Sequence, residues 1–113
     1  MMRYRQAKYA IGQIVEHRHL GYHGVVIDVD YAYALDPQTF VEVNASLLEQ
    51  GLPALDPDQP FYMLLTSETE DQLYVSEANL EEVMDDEAIQ HEDLDLYFMG
   101  RQSGHYLPKH AFH

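Results

Sequence analysis

From Gly24 the chain reads GVVIDVDYAY, with Val25, Ile27, Val29 and Tyr31 at period two. Val26, Asp28 and Asp30 fall between them. Alternation of this kind, rich in β-branched residues, predicts a strand buried on one face, with the aspartates in water. Upstream, QIVEH at 13–17 follows Gly12 and reads as a partner strand centred on Ile14. Gly21 and Gly24 bracket Tyr22 and His23 between the two, as a hairpin turn with a positive φ at Gly24 would require. A second pair follows: PFYMLLTS at 60–67, a turn over 68–71, and QLYVS at 72–76. EANLEEV, at 77–83, is expected to make a helical turn that lays Leu80 and Val83 on the end of the strand set. The last apolar residues, Tyr97, Phe98, Tyr106 and Leu107, suit a short hairpin around Gly100 to Gly104.

The stretch between the two strand pairs differs. Pro37, Pro53, Pro57 and Pro60 interrupt residues 35–60, and NASLLEQG alone reads as helix, capped at Asn44 or Ser46 and ended by Gly51. So long an excursion between strands is uncommon in a compact domain and often carries function. Taken together the pattern predicts a mostly β protein, a small SH3-like barrel of about five antiparallel strands. A long loop with a short helix interrupts it and a C-terminal extension follows. The expected division is a basic arm at 1–8, a barrel at 9–84 and an acidic extension at 85–113.

Charge changes the picture more than composition does. The 113 residues carry a formal net charge of −14 and no cysteine. The first 34 residues are slightly basic; nearly all the negative charge lies beyond them. A body this acidic repels phosphate backbones and anionic membranes and favours basic partners, although solvation alone also accounts for such charge. No run of about 20 apolar residues is available to span a membrane, and no signal-peptide core stands at the start. The lack of cysteine fits a reducing compartment, and a bacterial cytoplasmic location is expected.

Candidate chemistry is sparse. His17, His19 and His23 crowd the first turn, but their spacing matches no zinc motif, and a histidine-decorated hairpin is the favoured reading over a metal site. Their titration near neutrality leaves pH sensing open. Asp28 and Asp30 share a strand face, more often the polar side of a strand than an acid–base pair. No phosphate loop or nucleophile elbow is present, and no cofactor, metal or enzymatic activity is expected. Aromatic residues flank the long loop, and Tyr31, Tyr33, Phe40, Leu47, Leu48, Phe61 and Tyr62 form the candidate interaction surface, although for the aromatics a core role is the favoured reading over an interface role. Exposed sheet edges leave a homo-oligomer open.

Two blocks carry a family resemblance. The first holds Gly12, Val15, His17, Gly21, Tyr22, Gly24, Val25, Val26 and Asp30. The second holds Pro60, Phe61, Tyr62, Leu64 and Leu65, then Tyr74, Val75, Ser76, Glu77, Asn79 and Leu80. In this order, with a variable loop between, residues 9–82 resemble the HspQ/YccV-like family, also labelled hemimethylated-DNA-binding. The resemblance implies an SH3-like barrel in which Gly12, His17, Gly21, Tyr22, Gly24 and Asp30 define the fold. It also implies one of two roles. One is a heat-shock-type factor acting as adaptor for the ATP-dependent Lon protease, promoting turnover of clients such as a replication initiator. The other is binding of hemimethylated origin DNA. Lys and Arg drive phosphate binding, and Arg3, Arg5, Lys8 and Arg18 are the nucleic-acid candidates in an otherwise acidic chain. The adaptor role is therefore ranked first. A third role, in which the acidic extension makes the chain itself a protease substrate, stays open.

Overall fold

The computed structural model describes residues 6–83, 88–102 and 104–109. In chain order the elements are β1 (Ile14–His17), β2 (His23–Asp30), α1 (Pro37–Glu49), β3 (Phe61–Thr66) and β4 (Leu73–Ser76). A 3-10 turn (Glu77–Asn79) leads into β5 (Leu80–Glu82), followed by α2 (Leu94–Tyr97), β6 (Phe98–Gln102) and β7 (His105–Pro108). The first five strands form one antiparallel sheet in the order β4-β3-β2-β1-β5, and β6 and β7 form a separate ribbon. Strand order and the 3-10 turn between β4 and β5 are those of an SH3-like barrel left unclosed between its edges. The mostly β, SH3-like expectation holds.

Both faces of this sheet are apolar. Val15, Val26, Tyr62, Leu64, Val75 and Leu80, drawn from all five strands, fill the barrel interior. Ala7, Tyr9, Tyr22, Val29 and Leu73 pack at its margin. On the opposite face Ile14, Val25, Ile27 and Leu65 are covered by Ile89, Phe98 and Tyr106. The described part of the C-terminal extension is thus a packed layer, and it doubles the core available to so short a chain.

One irregularity decides which β2 side chains go where. The pairing of β2 with β3 slips between Val26 and Asp28, a β-bulge at Ile27. Before the bulge Val25 and Val26 take opposite faces; after it Val29 joins Val26 in the interior rather than Val25. The expected face of Val25, Ile27, Val29 and Tyr31 is therefore split. Tyr31 lies past the strand end and is 60% exposed. Asp28 is exposed as expected, but Asp30 is half-buried.

Other expectations are corrected by local chemistry. Gly24 has no positive φ; those fall at Gly12, Gly21, Gly51 and Gly104. What Gly24 provides is room, since a Cβ there would lie 3.2 Å from Leu64 and Thr66 side-chain atoms. Helix α1 starts a full turn and more before Asn44. Asp36 caps it by accepting the Thr39 N–H at 2.6 Å, and Pro37 at the first turn needs no N–H partner. Gly51 does end the helix, with φ 75° and the Leu52 N–H returning to the Leu47 carbonyl. The expected helical turn at 77–83 is a 3-10 turn followed by a strand, and Leu80 is wholly buried in the barrel. The expected final hairpin is present as β6 and β7.

Candidate functional site

The histidine turn is built around one buried ring. Nδ1 of His17 accepts the backbone N–H groups of His19 and Leu20 at 3.2 and 3.0 Å. With Nδ1 an acceptor, the ring proton sits on Nε2. Burial, helped by His19, holds the His17 pKa below its ordinary value and keeps the ring neutral. The turn is closed by the Gly21 N–H on the His17 carbonyl and by the His17 N–H on the Tyr22 carbonyl, both at 2.8 Å. Gly21 takes φ 78°, and Tyr22 lies 5.2 Å from the His17 ring. His23 turns elsewhere, its Nε2 2.8 Å from Oε1 of Glu16. His19 is exposed. The three rings thus serve three purposes, and among the described residues no group of three or more His, Cys, Asp or Glu is arranged to hold a metal.

The remaining fold-motif residues act as braces. Gly12 has φ 93°, and a Cβ there would lie 2.1 Å from the Tyr106 carbonyl oxygen. Its own carbonyl accepts the Tyr106 N–H at 2.7 Å, so β7 crosses directly over this glycine. Asp30 accepts the Tyr74 hydroxyl at 2.8 Å, and the Tyr74 oxygen in turn accepts the Ala34 N–H at 3.2 Å. Glu77, quoted in the motif but given no site role from sequence, is the hub of the barrel end. Its Oε2 accepts the Tyr62 hydroxyl at 2.6 Å and the Lys8 N–H at 2.9 Å. The Tyr9 N–H then bonds the Tyr62 oxygen at 3.2 Å, tying the N-terminal segment across the barrel.

The candidate interaction residues separate into support and surface. Phe61 stacks on Tyr74 at 5.2 Å, Tyr33 meets both rings edge-on, and Phe40 of α1 packs against Tyr33 at 4.8 Å. This cluster pins the long excursion to the outside of β3 and β4. Phe61 is 1% exposed and Tyr62 fully buried, so neither can touch a partner directly. Leu47 is half-buried on the inward side of α1. Leu48 is 63% exposed, and Val41, seven residues before it, lies on the same helix face at 61%. No residue of α1 is fully buried.

Of the nucleic-acid candidates, Arg3 and Arg5 lie outside the described residues. Lys8 and Arg18 are exposed at the same barrel end, where an Arg18 guanidinium nitrogen donates to the Leu80 carbonyl at 3.4 Å. That end also carries Glu77, Glu81 and Glu82, so the local field is not basic.

A groove of about 680 Å³ runs between the N-terminal segment and the far half of β2, lined by Gln6, Ala7, Tyr9, Ala10, Ile11, Asp28, Val29 and Tyr31. Of these Tyr31 stood among the candidate interaction residues and Asp28 among the strand-face aspartates. The walls are far apart in the chain, and no local pattern marks them.

About 28% of residues are identical over a 106-residue alignment with F-box only protein 21 of Homo sapiens, covering 94% of this chain and 16% of that one. The Mus musculus protein of the same name is 27% identical over the same length. The chain thus spans about a sixth of these relatives. The model of one family, described as hemimethylated DNA-binding protein YccV like, matches residues 7–105, from the Tyr9 tie through the histidine turn to the ribbon. The chain belongs to the YccV-like family.

Proposed function

We infer that this chain is a non-enzymatic regulatory factor, an adaptor or specificity factor for a Lon-type ATP-dependent protease. It holds basic client segments, such as those of a replication initiator, for degradation. On this reading it works in the bacterial cytoplasm under stress. One observation carries the ranking over DNA binding. The helix long enough to enter a groove, α1, bears Glu42 and Glu49 and no Lys or Arg. Major-groove readout needs a helix or ribbon whose side chains reach base edges past the phosphates, and the β6–β7 ribbon, though it bears Arg101, packs Phe98 and Tyr106 onto the core. An acidic helix on a chain of net charge −14 meets repulsion there instead. The same charge attracts basic protein segments. Occurrence of the module within longer chains also suits an interaction unit.

The test is degradation of a purified initiator client by Lon with ATP, with and without stoichiometric chain. Faster client loss is expected; unchanged loss together with no binding to the protease overturns the reading. The family's description favours the second reading, hemimethylated DNA. A duplex-binding titration over salt concentration addresses it. Direct binding requires a salt slope of at least a few released counterions and preference for hemimethylated over fully methylated sites.

A further inference from the structure

The groove beside β2 is a strand position left empty. β1 pairs with β2 through Val25, and the Gly12 and Gln13 backbone carries the contact on to Val26. Beyond that the N-terminal segment veers off toward Tyr62 and Glu77. Residues Asp28–Asp30 therefore have β3 on one side and, among the described residues, no strand on the other. The Val29 N–H confirms the open side: its partner is Oδ1 of Asp28, its own neighbour, at 2.9 Å. Ala7, Tyr9 and Ile11 form the facing wall, with Ile11 and Tyr31 among the large exposed hydrophobic residues.

We propose that this groove takes an extended basic segment of a partner protein, added as a strand on the free edge of β2. Backbone bonds at Val29 would hold it, its apolar side chains would lie on Tyr9, Ile11 and Tyr31, and a Lys or Arg would pair with Asp28. Strand addition supplies affinity through the main chain and specificity through alternate side chains. Charge selects the occupant. Among the described residues Asp28 is the one charged side chain lining the groove and no cation lines it, and the whole chain is strongly acidic. A carboxylate on an open edge repels another acidic edge, a second copy of this chain included. An incoming carbonyl would take over the Val29 N–H and release the carboxylate to a basic side chain. This deepens the adaptor reading by naming where a client would sit.

The experiment titrates the isotopically labelled full chain with a short peptide of alternating arginine and valine. Saturable amide shifts are expected at Ala7–Ile11 and Asp28–Tyr31, with slowed hydrogen exchange at Val29. Asp28→Asn keeps an oxygen for the Val29 N–H and removes the charge, and should weaken binding about fivefold, the size of an exposed charge pair. N-methylating alternate peptide amides should abolish binding in one register and spare it in the other. Shifts confined to another surface, equal binding of a glutamate–valine peptide, or indifference to N-methylation in both registers would each overturn the proposal. No protease is present in this assay. Peptide binding at the groove without stimulated degradation removes the adaptor reading alone; stimulated degradation unaffected by Asp28→Asn, with no peptide binding, removes the groove alone.

Discussion

Three glycines in this chain look alike in sequence and do different work. Gly21 needs a left-handed backbone in open space, Gly24 needs room without unusual φ, and Gly12 needs both. Alanine at the three should therefore separate in chemical denaturation. Gly21→Ala is expected to cost about 1 kcal/mol from backbone strain alone. Gly24→Ala should cost about 1–2 kcal/mol, because Leu64 and Thr66 must give slightly. At Gly12 the added Cβ meets a backbone carbonyl that cannot move without displacing β7, so a loss of ~3 kcal/mol or more is expected. His17 supplies a second residue-scale prediction. Its neutral form is the one that caps the turn, and its folded pKa lies below the ordinary 6.5. Protonation is thus disfavoured in the folded state, and stability present above about pH 6.5 should fall as pH drops toward the folded value. His17→Asn should lower stability near neutrality and flatten that acid limb.

At the scale of elements, α1 and the β6–β7 ribbon are attached very differently. The helix buries no residue fully and is held by its cap and by the Phe40–Tyr33 contact. Its amides should exchange at free energies well below global unfolding, while those of β2 and β3 should approach the global value. The ribbon, by contrast, buries Phe98 and Tyr106 in the outer core. Phe98→Ala should cost about 3–5 kcal/mol by thermal or urea unfolding, whereas Met99→Ala, at 68% exposed, should stay within about 0.5 kcal/mol. How far these elements were legible follows from how local their signals are. β2, β3 and the turn at Gly51 could be read because alternation and a helix-ending glycine act within a few residues. The bulge could not, since V-V-I-D-V-D fits an unbroken strand equally well. The Asp36–Pro37 start was obscured by a proline that reads as a breaker away from a helix N-terminus. Glu77, Tyr74 and Tyr106 gain their roles from partners remote in sequence, and the groove joins Ile11 to Val29 only through the fold.

For the whole molecule, tyrosine hydroxyls withdrawn from water set an alkaline limit. Burial pushes Tyr22 to about 12. Tyr74 also rises to about 12, by burial first and then by the Asp30 carboxylate. Tyr62 is raised too, by burial and by Glu77. Groups whose folded pKa exceeds the unfolded value of about 10 contribute stability fully below that pH and lose it above. Unfolding monitored by tyrosinate absorbance should therefore be steep and cooperative between about pH 10 and 12, rather than a gradual titration of free phenols. The crossing of β7 over Gly12 has a further meaning for the order of assembly. On a ribosome the first two strands emerge well before residues 98–108 exist, so their outer face, Ile14, Val25 and Ile27, stays bare until that ribbon has been made. Contacts this distant along the chain are slow to form, and a nascent chain waiting on them is a natural client for a chaperone.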